Sequence, residues 1–181
     1  MKVSERIVCG RSVFVVDDAV DKDTVDDFHQ MISGLPYSRR ELDDEDDKYP
    51  IFSVNFQSEK FETQTEVGLM GRKLLDELKP HQHKLYRAYI NMCHYGDMEY
   101  PHLDCDVKAD DITVLYYANT DWHYTWGGET HFYEDNEAVT SITPRPGRFV
   151  LFDGNIEHVG TIPTRICTQS RFTLAMKYAK A

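Results

Sequence analysis

The feature that most constrains the fold of this chain is the succession of short β-type segments in its second half. Six segments rich in β-branched and aromatic residues are separated by turn sequences such as Trp126-Gly127-Gly128. So many short strands at close spacing predict an antiparallel sandwich or barrel. The predicted strands cover residues 85–93, 111–118, 129–133, 138–142, 148–152 and 171–178.

The first half of the chain carries helical patterns instead. Residues 18–34 and 63–79 have apolar side chains at helical spacing, and a proline follows closely after each segment. One further strand is predicted over 11–17. Because most strands follow the helices rather than alternate with them, the pattern favours a mainly β (α+β) fold with helices packed on one face. Residues 39–50 are so charged that we expect an exposed loop there.

Length, charge and cysteine content narrow the classes of protein to which the chain can belong. Its 181 residues suffice for one well-packed domain, and its net charge of −11 repels nucleic-acid phosphates. No apolar run approaches the roughly 20 residues of a membrane span, and no secretion signal is evident at the N-terminus. We therefore expect a cytoplasmic protein that contacts neither nucleic acid nor membrane. The four cysteines form no Cys-x-x-Cys pair, which fits a reducing compartment.

Three residues form a candidate metal site. His102 and Asp104 are two apart, so on a strand their side chains point to the same side. His158 follows an apolar strand and a turn, where the mouth of a barrel is expected. Alone, the His-x-Asp pair also fits a solvated turn, and His158 also fits a hydrogen-bonded structural histidine. Together, two imidazoles and one carboxylate form a facial triad that leaves metal positions open for substrate and O₂.

A candidate anion site lies near the C-terminus. Arg171 and Thr173 share one face of the last predicted strand and together offer a guanidinium fork and a hydroxyl to one carboxylate. An arginine inside an otherwise apolar barrel is costly without an anionic partner, which a dicarboxylate cosubstrate provides. The alternative is a surface arginine on an edge strand.

These residues, in the order His102-x-Asp104, His158 and Arg171-x-Thr173, resemble the prolyl 4-hydroxylase-like branch of the Fe(II)/2-oxoglutarate oxygenases. The resemblance extends over about 165 residues. It includes the opening strand and helix, the central strand and hairpin, and the strand that leads to the distal histidine. Two departures from the family are Cys93, where many relatives have tyrosine, and the 13-residue spacing from His158 to Arg171, for which Arg165 is a rival.

The resemblance implies a double-stranded β-helix (jelly-roll or cupin-like) core. Residues 84–179 form this core within a single domain 1–181, and residues 1–80 form a helical buttress with the first strands and the acidic loop. It also implies Fe(II) bound by His102, Asp104 and His158, with 2-oxoglutarate chelating the iron and pairing its far carboxylate with Arg171. The other cofactor-binding residues implied or expected beside it are Tyr117, Thr173, Leu115 and Thr130.

The implied activity is that of a dioxygenase which hydroxylates an unactivated C–H bond of an amino acid, a peptidyl residue or a small natural product. O₂ is the cosubstrate, succinate and CO₂ are released, and ascorbate is a candidate reductant. Related halogenases lack the carboxylate ligand, so Asp104 favours hydroxylation, although desaturation or ring formation would use the same ligands. The acidic residues 43–47 would favour a cationic substrate if they form a lid. No motif indicates the oligomeric state.

Two other interpretations use the same residues. A cupin-like metal enzyme, an isomerase or an O₂-only dioxygenase, would bind metal through His102, Asp104 and His158 without 2-oxoglutarate. A catalytically inactive barrel would serve as a binding module, although a decayed site is expected to have lost a ligand. Arg171 and Thr173 distinguish the first alternative, because a cupin of that kind has no need for a carboxylate clamp.

Overall fold

A computed structural model describes residues 1–43 and 46–180 of the chain. Eleven strands and three α-helices lie in this described part. The strands are β1 (Lys2–Val8), β2 (Arg11–Asp17), β3 (Ser38–Glu41), β4 (Ile51–Asn55), β5 (His83–Cys93), β6 (Ile112–Tyr117), β7 (Thr130–Glu134), β8 (Glu137–Ile142), β9 (Phe149–Asp153), β10 (His158–Gly160) and β11 (Arg171–Lys180). The helices are α1 (Lys22–Ser33), α2 (Ser58–Gln64) and α3 (Glu66–Leu78).

The strands form two antiparallel sheets. The larger has the order β1-β2-β9-β6-β11-β5-β4-β3, and the smaller has the order β10-β7-β8. The longest pairing joins β11 to β5 and sets Arg171 opposite Cys93 and Lys177 opposite Arg87. Because strand residues alternate between faces, this register decides which side chains of the two strands share the inner face.

Two apolar clusters hold the layers together. The first lies between the helices and the outer face of the large sheet and includes Phe28, Leu74 and Leu174, each at most 6% exposed. The second lies between the two sheets and includes Val150, Phe132 and Phe152, all fully buried. The helices therefore cover one face of the large sheet, as the sequence predicts, and the small sheet covers part of the other.

The helix boundaries differ from the prediction for local reasons. α1 begins at Lys22 because the Asp21 carboxylate accepts a hydrogen bond from the Thr24 backbone N–H at 2.9 Å. The helix predicted over 63–79 is two helices, because Thr65 is extended, with φ −112° and ψ 142°. Its hydroxyl caps α3 by accepting the Gly68 N–H at 3.0 Å.

The prediction of an exposed loop over residues 39–50 is wrong for its first part. Residues up to Glu41 belong to β3, and the Glu41 side chain is buried against Arg87, with Oε2 2.6 Å from Nη2. A charged residue is buried here because it has an ion-pair partner. Asp44 and Glu45 of the expected acidic lid lie outside the described residues. Among the described helices, none has the length and apolar character needed to span a membrane.

Candidate active site

A cavity of about 640 Å³ opens beside the inner face of the large sheet. Its floor is built from alternate residues of three neighbouring strands, β5, β11 and β6. On β11 these are Arg171, Thr173, Ala175 and Lys177, which face the cavity because each is two residues from the next. The walls come from the segment around His102, from His158 and from the residues that follow β3.

The three predicted ligands meet at this cavity. His102 and His158 form an isolated antiparallel bridge, in which each backbone N–H donates to the other's carbonyl, at 2.9 and 3.1 Å. The Asp104 N–H donates to the Gly154 carbonyl at 2.7 Å, which fixes the carboxylate beside the bridge. One potential ligand atom from each of the three side chains lies within 4.8 Å of the others. This arrangement has the donor set of a facial triad.

Both imidazoles are oriented by backbone carbonyls. The Nδ1 atom of His102 lies 2.8 Å from the Tyr100 carbonyl oxygen, and the Nδ1 atom of His158 lies 2.9 Å from that of Ile156. In a neutral imidazole held in this way the proton is on Nδ1, which leaves Nε2 as the free lone pair. The Nε2 atoms lie 3.6 and 3.5 Å from the carboxylate oxygens of Asp104. The lone pairs that bind a metal therefore point at one place.

Asp104 is a buried anion surrounded by cationic and hydrogen-bonding partners. Its side chain is 4% exposed, with Oδ1 2.8 Å from the Lys177 ammonium and Oδ2 accepting a hydrogen bond from the Thr113 hydroxyl. Burial by itself would raise its pKa, but His158, His102 and Lys177 hold the pKa of Asp104 well below its usual range. The carboxylate is therefore ionised and available as a ligand.

The two histidines differ in protonation although they share one carboxylate. Burial lowers the pKa of His158 to about 4, despite the charge of Asp104. For His102 burial acts in the same direction, but Asp104 and Asp43 outweigh it and raise its pKa to about 9. A neutral His158 is ready to bind metal, whereas His102 gives up a proton when it does so.

Arg171 lines the same cavity, and only part of its guanidinium group is hydrogen-bonded within the described residues. It is 2% exposed, and its Nε donates to the Gly128 carbonyl at 2.8 Å. Among the described residues, neither its Nη2 nor the Thr173 hydroxyl has a hydrogen-bond partner, and both atoms are buried. Unsatisfied buried donors are rare, so this pair is prepared for an anion. Gly128, with φ +77°, allows the close approach, since a Cβ there would lie 2.9 Å from Arg171 Cδ.

The other predicted pocket residues surround Arg171 in different ways. Leu115 and Thr130 line the cavity. Tyr117 is fully buried behind it, with its ring centroid 5.7 Å from the Arg171 guanidinium carbon. Its hydroxyl lies 2.7 Å from the Thr130 hydroxyl, so these two groups satisfy each other. The rival Arg165 is exposed and does not line the cavity.

Sequence reasoning did not find two charged groups at the site. Lys177 contacts Asp104, and Glu99 lies beside Arg171 with Oε1 2.6 Å from the Cys93 thiol. Burial raises the pKa of Glu99 despite the nearby guanidinium. Lys177 had an available signal, because it lies six residues after Arg171 and thus on the same strand face. Asp43, expected from the sequence only as part of the acidic segment 43–47, has its Oδ1 3.4 Å from His102 Nδ1.

A family model matches residues 90–178, a range that includes His102, Asp104, His158 and Arg171. The model describes the 2OG-Fe(II) oxygenase superfamily. Residues 90–178, about half of the chain, match this superfamily. The match confirms the predicted enzyme class, a 2-oxoglutarate-dependent oxygenase, and the predicted cofactors, Fe(II) and 2-oxoglutarate.

Solved structures share the fold at low sequence identity. A prolyl hydroxylase from Trichoplax adhaerens, solved with a peptide fragment of hypoxia inducible factor, is 17% identical with a TM-score of 0.68, covering 93% of this chain and 83% of that one. A viral collagen prolyl hydroxylase from Paramecium Bursaria Chlorella virus-1 is 16% identical with a TM-score of 0.65, covering 100% and 98%. HygX from Streptomyces hygroscopicus, with nickel and 2-oxoglutarate bound, is 11% identical with a TM-score of 0.64, covering 93% and 83%.

These similarities confirm the predicted double-stranded β-helix buttressed by helices. No curated protein sequence matches the chain. The residues present fit the family's cofactors. The imidazole Nε2 atoms and the Asp104 carboxylate suit a first-row metal, and the unpaired Arg171 Nη2 and Thr173 hydroxyl suit the far carboxylate of 2-oxoglutarate.

Proposed function

We propose that the protein hydroxylates an unactivated C–H bond of an amino acid, a peptidyl residue or a small natural product, with release of succinate and CO₂. The observation that carries the proposal is the presence, in one cavity, of the His–Asp–His cluster and an unsatisfied Arg171. The metal ligands are His102, Asp104 and His158. Iron with 2-oxoglutarate and O₂ supplies the oxidising power, which no side chain offers.

The side chains of the site have separate roles in this proposal. The carbonyls of Tyr100 and Ile156 hold the imidazoles, and Thr113 orients the Asp104 carboxylate through its hydrogen bond. Such partners of metal ligands typically contribute about 10- to 100-fold in affinity or activity. Arg171 orients the cosubstrate, so that its other end points toward the metal ligands.

A second set of residues fixes Arg171. The Gly128 carbonyl accepts from Nε, and the Tyr117 ring lies against the guanidinium. Thr173 adds a hydroxyl for the cosubstrate carboxylate, while Thr130 and Leu115 complete the wall around it. A fork held in this way loses little conformational freedom when it binds a carboxylate.

We also propose that the substrate carries a cationic group. Glu41 and Asp43 line the cavity and add negative charge to it, which supports a contribution of the acidic segment to substrate binding. The substrate class is either a small molecule or a peptide. That residues 1–181 form one domain, and that it acts in the cytoplasm, are proposals as well. The free thiols of the four cysteines fit a reducing compartment.

The decisive experiment is an anaerobic titration of metal-free protein with Fe(II) and then 2-oxoglutarate, followed by visible absorbance. Chelation of the keto acid to protein-bound iron produces a weak charge-transfer band. We expect the band in the parent protein, its loss in Asp104→Ala, and a much higher 2-oxoglutarate requirement in Arg171→Ala. Arg165→Ala is the matched control, because Arg165 is exposed, and it should behave as the parent.

Iron binding without a response to 2-oxoglutarate would contradict the proposal and favour a metal enzyme of the cupin kind. If Arg165→Ala rather than Arg171→Ala weakened the 2-oxoglutarate response, the anion site would be assigned wrongly. Hydroxylation itself is then tested by mass spectrometry of candidate substrates, where a gain of one oxygen atom is expected.

A further inference from the structure

Two cations lie side by side on the cavity floor, far from Arg171. Lys177 of β11 and Arg87 of β5 are directly opposite in the antiparallel register, and both line the cavity. Lys177 is six residues beyond Arg171, which corresponds to about 20 Å along a strand. Like charges at directly opposite positions destabilise a sheet. We therefore ask which anions offset the repulsion between Lys177 and Arg87.

Among the described residues, each of the two cations has one carboxylate partner. Arg87 Nη2 lies 2.6 Å from Glu41 Oε2, and Lys177 Nζ lies 2.8 Å from Asp104 Oδ1. The ring of Tyr89 makes cation–π contacts with both cations, with its centroid 4.0 Å from the Arg87 guanidinium carbon and 5.4 Å from the Lys177 nitrogen. The two positive charges are thereby balanced within the cavity.

A metal ion at the His–Asp–His cluster changes this balance. The metal would share the Asp104 carboxylate, which is the group that neutralises Lys177. The positive charge of the metal would then add to that of the Lys177 ammonium. Asp43 is already engaged, because it accepts the Tyr100 N–H and faces the His102 imidazole. The Lys177 side chain is 13% exposed, so water compensates it poorly. A buried cation in this position requires an anion.

We infer that Lys177, with Arg87 beside it, binds a free carboxylate of the primary substrate. The inference rests on the proposed function and narrows its substrate class to small carboxylic acids, free amino acids above all, rather than internal residues of a peptide. The cavity then has two anion sites, Arg171 for the cosubstrate and Lys177 for the substrate. The Glu41 carboxylate, whose Oε2 pairs with Arg87, also lines the cavity and offers an acceptor for the ammonium group of an amino acid.

The test uses the anaerobic protein loaded with Fe(II) and 2-oxoglutarate, whose visible band responds to a substrate that binds beside the metal. The probes are the common L-amino acids, each as the free acid and as its carboxamide, which keeps the ammonium group but has no carboxylate. We expect at least one free acid to shift the band. Its carboxamide should bind about 10- to 100-fold more weakly, as expected for the loss of one charged hydrogen bond.

Three variants separate the role of Lys177 from general damage. Lys177→Met should weaken binding of the responding acid by the same factor without weakening binding of the carboxamide, and Lys177→Arg should retain most of the affinity. Lys180→Met is the matched control, because Lys180 lies on the same strand, is 47% exposed and pairs with Asp110 outside the cavity. It should leave the affinity unchanged.

The outcomes distinguish this inference from the proposed function. If no band forms with 2-oxoglutarate, the proposed function fails. If the band forms but no free acid shifts it, the carboxylate site is wrong. Equal affinity for acid and carboxamide, or full affinity for the acid in Lys177→Met with the band intact, would overturn it as well.

Discussion

The two faces of β11 have different roles, since one stabilises the fold and the other lines the cavity. One face presents Phe172, Leu174 and Met176 to the helices, where they are part of a continuous apolar cluster. The other face presents two cations to the cavity, Arg171, which the Gly128 carbonyl holds, and Lys177, which pairs with Asp104. A strand with charge on one face remains in the centre of a sheet because the apolar face supplies the burial energy. Substitutions on the two faces should therefore affect different properties.

The largest effect is expected for a metal ligand on the cavity side. His158→Ala removes an imidazole whose Nε2 faces Asp104, so the protein should lose the Fe(II)/2-oxoglutarate band and all 2-oxoglutarate turnover. The imidazole also packs on Phe132 and Phe152, with ring centroids 5.9 and 4.6 Å away, so some stability should be lost. Because the backbone bridge to His102 remains, we expect the circular dichroism spectrum to stay the same. The measurement is the anaerobic titration followed by visible absorbance.

His123→Ala is the control for this substitution, since His123 is exposed, directly precedes the 3₁₀ turn Tyr124–Trp126 and does not line the cavity. It should retain both the band and the turnover. A His158→Ala protein that still formed the band would remove His158 from the ligand set.

The next largest effect is expected on the apolar face of the same strand. Leu174 is fully buried, and Leu174→Ala should lower the free energy of unfolding by about 2–5 kcal/mol through lost burial and a cavity. At a temperature where the variant is folded, its affinity for 2-oxoglutarate should equal that of the parent. Urea unfolding and the visible titration measure the two quantities.

Thr173, the neighbour of Leu174 on the cavity face of β11, provides the complementary test of the two faces. Thr173→Val removes a hydroxyl that is buried without a partner, so stability should stay the same or rise by up to about 1 kcal/mol. Its affinity for 2-oxoglutarate should fall. The division between the two faces would be refuted if Thr173→Val lost stability and Leu174→Ala lost only cosubstrate affinity.

A smaller effect is expected behind Arg171. A Cβ on Gly128 would lie 2.9 Å from Arg171 Cδ and 3.0 Å from Trp122 Cζ2, so Gly128→Ala must displace the arginine. We expect the dissociation constant of 2-oxoglutarate to rise about tenfold, because a misplaced binding group loses alignment. Gly10→Ala has the same left-handed backbone, with φ +70°, but meets no atom within 4 Å. This control should leave cosubstrate binding unchanged.

The smallest effect is expected for an ion pair outside the cavity. Asp17 accepts two hydrogen bonds from Arg148, at 2.7 and 2.8 Å, and these bonds hold the pKa of Asp17 below its ordinary value. Asp17→Asn should cost about 1 kcal/mol at neutral pH, because the pair is partly exposed. The measurement is urea unfolding of both proteins across the acidic pH range.

The pH dependence of this difference has a definite sign. A carboxyl whose pKa is lowered by folding stabilises the protein above its unfolded pKa of about 3.9 and loses that contribution as the pH falls through the folded value. The stabilities of parent and Asp17→Asn should therefore converge below about pH 4. A difference that grows on acidification would contradict the role of the Arg148 pair.

The sequence pattern identified most of the regular structure, and its failures have local causes. The strand predictions for residues 85–93 and 171–178 agree with β5 and β11 because alternation and β-branched composition act over short distances. β3 was missed because its Ser-Arg-Arg-Glu sequence has no apolar alternation. It is a strand because its backbone pairs with β4, and its buried end is held by the pairing of Glu41 with Arg87, a residue 46 positions away. No local pattern carries such a contact.

The sequence by itself determined which side chains are available for metal and anion binding, since His102, Asp104, His158 and Arg171 were selected by residue type and spacing. Only the tertiary structure decided what surrounds them. The β11–β5 register places Lys177 opposite Arg87, and the segment after β3 brings Asp43 to His102. Spacing along a strand follows from local geometry, whereas the charge balance of a buried site depends on partners from distant segments, which meet only when the sheets pack.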